Sequence, residues 1–249
     1  MNFDILIVVT KKDFSKFEFL IDSIRRNIPG YDKIHVISDI PLPDESQFPD
    51  VNFYRDTIVP FDWSTFRGNI KIRKGWYKQQ FIKLFQTVTS DDYLVIDGDV
   101  YVNKEVNIIE NGKPTFLFGR DQNHKPYFEC MKKLCNLGRE YNYSFINEIM
   151  YFKREYITHL IKSNGWTPDK FFKIVTMIIN EANQRSGFAE YELYGNHVTK
   201  YYRKHYNYKY IKTFEGGRHR REWSKGEIQK TIDYYKNKEE ILLKLHTWV

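Results

Sequence analysis

The sequence predicts an α/β fold with a central, mostly parallel sheet flanked by helices, and three observations carry that prediction. Residues 4–10, DILIVVT, form a short β-branched run of the kind buried on both faces of a sheet. Phe14, Phe17, Leu20, Ile21, Ile24 and Ile28 then recur at helical spacing until Pro29-Gly30 stops the pattern. KIHVISD, residues 33–39, reads as a second strand. The chain therefore opens β-α-β, and a helix-length crossover of this kind joins parallel strands.

The later elements follow in order. PLPDESQFPD (41–50) is a polar, proline-punctuated loop. Helical spacing returns over 75–88 through Tyr77, Phe81, Leu84, Phe85 and Val88, and runs directly into a strand at YLVID, 93–97. TFLFG (115–119) and IMYF (149–152) are further strands. Thr167 as N-cap with Pro168 behind it opens a helix over 167–183, with Phe171, Val175, Ile178 and Ala182 as its core stripe. SKGE (224–227) matches a capping box and opens another helix. No repeat, low-complexity tract or composition break divides the chain, so one domain over 1–249 is expected.

Composition narrows the function classes. The 249 residues are 41% hydrophobic and 29% charged, which suits a globular domain with a substantial core. Lys and Arg exceed Asp and Glu by 39 − 32 = 7, which favours anionic partners: nucleotides, nucleic acid or an acidic membrane surface. Cys130 and Cys135 form no CxxC pair, which argues against a disulfide framework or structural zinc and for a reducing compartment. The apolar run near the N-terminus, with Asp4 ahead of it, is a strand rather than a signal peptide, and no stretch approaches the ~18 apolar residues of a membrane span. A cytoplasmic location is the expectation.

The most informative stretch is DDYLVIDGDVYV, 91–102, where Asp97 and Asp99 flank Gly98 as a hydrophobic strand runs out. Asp-Gly is a favoured turn pair. A strand this apolar is central, however, and open α/β sheets bind ligands at the carboxyl ends of such strands. Two adjacent carboxylates repel unless a cation joins them, and Gly98 permits close approach. Lys78, Gln79, Gln80 and Lys83 supply donors on the helix just ahead. An EF-hand fails, since position six would be Val102 and position twelve Ile108. A metal-dependent phosphohydrolase using the two aspartates is the chief enzymatic rival, although such a pair is expected after the first strand with a Thr soon behind, and here Val100 and Tyr101 follow.

GWYKQQFIKL (75–84), IDGDV (96–100), SFINEIMYF (144–152) and FAEYELYGN (188–196) together resemble, over about residues 5–200, a group of bacterial and viral GT-A glycosyltransferases. In such enzymes DGD would be the DxD motif. The resemblance implies a GT-A-like, Rossmann-type sheet whose first half, about 1–103, binds a nucleotide sugar and whose second half, about 104–249, takes the acceptor. The implied activity is transfer of a sugar from a nucleoside-diphosphate donor, UDP favoured, to a glycan or other hydroxyl acceptor, with Mn²⁺ or Mg²⁺ on the diphosphate. Asp97 would face the ribose or the metal and Asp99 would ligate the metal; Thr10, Lys11 and Asp39 would lie near base and ribose; Arg73, Lys74 or Lys83 would reach the diphosphate. His246, in LKLHTWV, would be a third metal ligand, with His197 and His219 as competitors. Glu190, and after it Glu192, would be the base that deprotonates the acceptor, while Asn147 and Glu148 would bind acceptor hydroxyls. Inversion is expected, with an amide at Asn147 leaving retention open.

YYRKHYNYKYIKTF (201–214) alternates rings with cations, as a nucleic-acid face does, but sugars also stack on such rings. No RRM, KH, zinc-finger or helix-turn-helix signature accompanies it, so no nucleic-acid partner is expected. The basic run at 218–221 would suit a lid over a diphosphate, and the basic charge permits peripheral membrane contact. The non-enzymatic alternative is a carbohydrate- or nucleic-acid-binding domain without turnover.

Overall fold

The computed structural model describes residues 2–42, 44–119, 121–217 and 222–247. Its opening is β1 (Phe3–Val9), α1 (Phe14–Asn27) and β2 (Tyr31–Ser38), with β1 and β2 parallel. β3 (Val51–Arg55) extends this sheet beside β2. After α2 (Gly68–Ile72) and α3 (Lys74–Phe85), β4 (Asp92–Asp97) returns to pair parallel with the other side of β1. Then come β5 (Val100–Val102), β6 (Ile109–Glu110), β7 (Lys113–Phe118), α4 (Lys125–Cys135) and β8 (Ile149–Lys153). The chain continues through α5 (Arg154–Ser163), α6 (Pro168–Ala182), α7 (Glu190–Tyr202), β9 (Asn207–Tyr210), β10 (Thr213–Gly216), α8 (Lys225–Tyr235) and β11 (Leu242–Leu245).

The central sheet has the order β3-β2-β1-β4-β8, with β8 antiparallel to β4 and the others parallel. All seven residues of β1 are buried, as befits a strand with neighbours on both edges and helices on both faces. Both helix-start signals work as their chemistry dictates: Thr167 Oγ1 accepts from Lys170 N at 3.2 Å, and Ser224 and Glu227 close a capping box. Two small sheets flank the large one. In one, β6 and β9 lie either side of β7. In the other, β11 runs parallel to β10 and antiparallel to β5, so the end of the described chain lies beside the strand that follows Gly98.

Most rings of the aromatic-basic stretch at 201–214 pack against the body of the molecule, although Tyr201 and Tyr210 are exposed. Tyr206 is buried with its ring stacked on Phe116, Tyr202 stacks on Tyr156, and Tyr208 packs against Phe118 and Tyr141. The basic run at 218–221, with His219, lies outside the described residues. No helix among the described residues is long and apolar enough to cross a membrane.

α7 is the helix most tightly embedded in the molecule. Gly195 lies against the Phe145 ring, where an added Cβ would come within 2.2 Å of ring carbons. Glu192 is fully buried and accepts from Ser144 Oγ at 2.6 Å, Phe145 N at 3.2 Å and Asn196 Nδ2 at 3.0 Å. Burial pushes its carboxyl up to about 7, because those hydrogen bonds only partly offset the loss of water.

Two outcomes are expected. Gly195→Ala destabilises the protein by about 1–3 kcal/mol despite the better helix propensity of alanine, as read by urea denaturation. Glu192 contributes most stability when protonated in both states, so its contribution is lost as pH rises from about 4.5 through about 7. Glu192→Gln removes that slope, narrowing the stability difference between pH 5 and pH 8 by roughly 2–3 kcal/mol.

Candidate active site

A cavity of about 330 Å³ opens at the carboxyl ends of β1 and β4. Its floor is the turn between β4 and β5, formed by Asp97, Gly98 and Asp99. α3 supplies one wall, the start of α7 another, and residues 122–127 and 246–247 complete the rim. Such placement follows from parallel strands, whose carboxyl ends all open on one side.

Gly98 is required by the protein's own packing rather than by a ligand. A Cβ there would meet Val9 Cγ1 at 2.8 Å and Asp13 Cβ at 3.3 Å, so β4 can end against β1 only with glycine. The two aspartates then diverge. Asp97 turns toward α3 and α7, where its Oδ1 lies 2.7 Å from Lys83 Nζ and accepts from Tyr191 Oη at 2.7 Å. The same ammonium lies 2.7 Å from Glu190 Oε1. Burial alone would favour a neutral Lys83, but Asp97 and Glu190 outweigh it and hold the proton more tightly than on a free lysine. Burial dominates at Glu190, which is raised above its ordinary value although Lys83 pulls it down.

Asp99 turns the other way. β11 pairs with β5 so that Leu245 N donates to Asp99 O at 2.7 Å, which brings His246 Nδ1 to 3.0 Å from Asp99 Oδ2. Burial pushes Asp99 up, yet the hydrogen bond and charge of His246, with Lys16 and Lys12 nearby, hold it well below the usual carboxylate range. Burial likewise opposes a charge on His246, and Asp99 more than restores it, so the imidazole is raised. The pair is an ion pair inside the cavity.

Glu148 also lines the cavity, from a left-handed backbone position with φ 57° that costs a non-glycine residue of order 1 kcal/mol. Two neighbours hold it: its carbonyl accepts from Asp97 N at 2.9 Å, and Lys244 Nζ lies 2.5 Å from its carboxylate. Lys244, wholly buried, also faces Glu215 at 3.5 Å.

Of the residues singled out in the sequence, Arg73, Gln79, Gln80, Lys83, Asp97, Gly98, Asp99, Glu148, Glu190 and His246 line this cavity. Thr10, Lys11, Asp39, Asn147, Glu192 and His197 do not. Thr10 donates through N and Oγ1 to Asp13, and it is Asp13 and Lys12, not Thr10 and Lys11, that reach the wall. Asp39 is exposed beyond β2, its carbonyl accepting from Arg55. Asn147 is buried and donates to Leu117 O at 3.1 Å. Glu192 points into the core, and His197 lies 3.2 Å from His159 between α7 and α5. Lys83 is an internal strut and not an exposed donor. Sequence reasoning missed Trp76, Tyr127, Tyr191, Lys16 and Lys244. For Tyr191 a signal existed, since it follows Glu190 directly.

Among solved structures, an active-site mutant of LgtC superposes with a TM-score of 0.53 at 12% identity, over 99% of this chain and 88% of that one. The galactosyltransferase LgtC in complex with donor and acceptor sugar analogs gives 0.47 at 12% identity, over 85% and 75%. Mouse xyloside xylosyltransferase 1 in its apo form gives 0.49 at 10% identity, over 98% and 97%. The mixed sheet, mostly parallel and flanked by helices, is thus the GT-A-like architecture seen in LgtC. No curated protein matches the sequence. The model of a family of unknown function, DUF6492, matches residues 2–213, ending before α8 and β11, and the chain belongs to that family.

Proposed function

We propose that the protein is a metal-dependent glycosyltransferase that moves a sugar from a nucleoside-diphosphate sugar to a hydroxyl acceptor. The observation that carries this reading is the Asp99–His246 pair, 3.0 Å apart at the carboxyl edge of the sheet. A divalent ion such as Mn²⁺ would displace the imidazole proton, leaving one carboxylate oxygen and one imidazole nitrogen as suitable donors. Among the described residues no group of three His, Cys, Asp or Glu side chains converges, so phosphate oxygens and water would fill the remaining positions, as they do for ions that bind with phosphates. When bound, the ion supplies Lewis-acid stabilisation of charge on the departing diphosphate.

The chain's own residues do the rest. Lys12 offers an ammonium on the same wall as Asp13 and Gly98, beside the pair. Lys83 and Tyr191 fix the Asp97 carboxylate toward the donor and limit its freedom to rotate. Glu190, at the start of α7, is the carboxylate placed to take the acceptor proton. Its raised affinity for protons brings it closer to the operating pH, which favours general-base work. Glu148, on the cavity wall, would bind sugar hydroxyls, with the buried Lys244 behind it holding its carboxylate in place.

Thermal stability against UDP-, GDP-, CMP- and dTDP-sugars, each with Mn²⁺ and with chelator, tests the site. One nucleotide class should raise stability in Mn²⁺ only, by roughly 2.7 kcal/mol at about a hundred times its dissociation constant. Asp99→Asn and His246→Ala should abolish the rise, and phosphomonoester hydrolysis without any nucleotide effect would return the site to a phosphohydrolase. Glu190→Gln should lower kcat by about 10²–10⁴ while leaving that rise in place. In the wild type kcat/KM should fall as pH drops through the raised Glu190 value, above the ordinary 4.5, because the base must be ionised. An inverted anomer is expected in the product; a retained one would remove the base role from Glu190.

A further inference from the structure

The cavity is long, and its two ends differ. Lys83 and Asp97 mark one end; Arg73, ten residues before Lys83 at the N-terminus of α3, marks the other, about 15 Å away along the helix. At the Arg73 end the guanidinium lies 4.1 Å above the Trp76 ring and donates to Ser186 Oγ, while His124 Nε2 contacts Ser186 O at 2.9 Å and Tyr127 closes the wall. Trp76 and Ser186 therefore hold the planar guanidinium in one orientation, as recognition of a planar or tetrahedral oxyanion demands.

No carboxylate of the described residues pairs with Arg73 within 4.0 Å, in a position where burial already weakens the hold on its proton. A half-buried cation without a counter-charge is destabilising, and a bound anion removes that penalty. The surroundings have the same sign. Between Asp62 and Asp91 the sequence contains six Lys and Arg and no Asp or Glu. Only Lys78 and Lys83 of these have carboxylate partners among the described residues, leaving Arg67, Lys71 and Lys74 exposed on or beside α2 and the start of α3. Exposed Arg185 adds to them, near enough to repel Arg73.

We propose that this end of the cavity is the acceptor subsite, and that it selects acceptors bearing an oxyanion, carboxylate or phosphate, which the Arg73 guanidinium binds while Glu190 faces the acceptor hydroxyl. The proposal rests on the transferase reading for the word acceptor. The anion preference itself depends only on Arg73, Trp76 and Ser186. A structural clamp alone would stabilise α3 without discriminating between charged and neutral sugars.

The test is binding of glucose, glucuronate and glucose 6-phosphate by ligand-detected NMR, with and without saturating Mn²⁺ and UDP. At least one anionic probe should bind at least tenfold more tightly than glucose, and which one does identifies the anion as carboxylate or phosphate. Arg73→Gln should erase the preference, Arg73→Lys should keep part of it, and neither should alter nucleotide binding. Equal binding of all three, no binding of any, or a preference that survives Arg73→Gln overturns the proposal. Loss of Mn²⁺–UDP binding in Arg73→Gln also overturns it, by placing the guanidinium on the diphosphate. Anion preference at Arg73 in a protein that binds no nucleotide would sink the transferase reading and leave this subsite standing.

Discussion

The buried ammonium of Lys83 is the interaction on which the rest of the site depends. It ties α3 to the end of β4 through Asp97 and to the start of α7 through Glu190, both at 2.7 Å. Three elements far apart in sequence meet at one charge. Two carboxylates brought together without it would repel each other in a poorly solvated place, and breaking a buried pair of this kind costs about 3–5 kcal/mol. The same contact settles which way the Asp-Gly-Asp turn faces. Once Asp97 is bound by Lys83 and Tyr191 on the side of α3 and α7, Asp99 is left on the other side, where β11 meets it with His246.

Lys83 is one of three lysines buried at this edge, and each holds a different segment. Lys16, on α1, lies 3.1 Å from Asp13 and donates to Leu245 O at 3.3 Å and Thr247 Oγ1 at 3.1 Å. Lys244 sits between Glu148 and Glu215. Through Lys16 and Lys244 the C-terminal strand is bound on both sides of His246, so that histidine is presented by a rigid segment rather than a loose tail. Each of these three buried ammonium groups has a carboxylate in contact.

The parts of the fold legible in the sequence were those written in local patterns. β1, α1, β2 and β4 announce themselves through apolar periodicity and strong stop signals, and α6 and α8 through caps. Apart from β7, the strands of the small sheets were not legible. β5, β10 and β11 are three or four residues each and exist because they pair with one another across the chain. The site divided along the same line. Asp97, Asp99 and Glu190 stood out by type and position, with Glu192 as second choice, and the structure shows which of the two glutamates lines the cavity. Two residues apart on a helix point about 200° apart, so only one of them could face the cavity. Lys83 misled because lysine is ordinarily solvated, and only the acids opposite it make its burial possible.

β11 also makes the Asp99–His246 pair depend on a contact distant in sequence. Asp99 and His246 are 147 residues apart, and Lys16 reaches partners 229 and 231 residues away. Closing loops of that length carries an entropic penalty that local β-α-β units do not meet, so these contacts form after the central sheet. During synthesis, a chain that has emerged only as far as β10 already has its first strands and the Asp-Gly-Asp turn, but Asp99 has no histidine beside it. The Asp99–His246 pair is therefore complete only once β11 has docked beside β5.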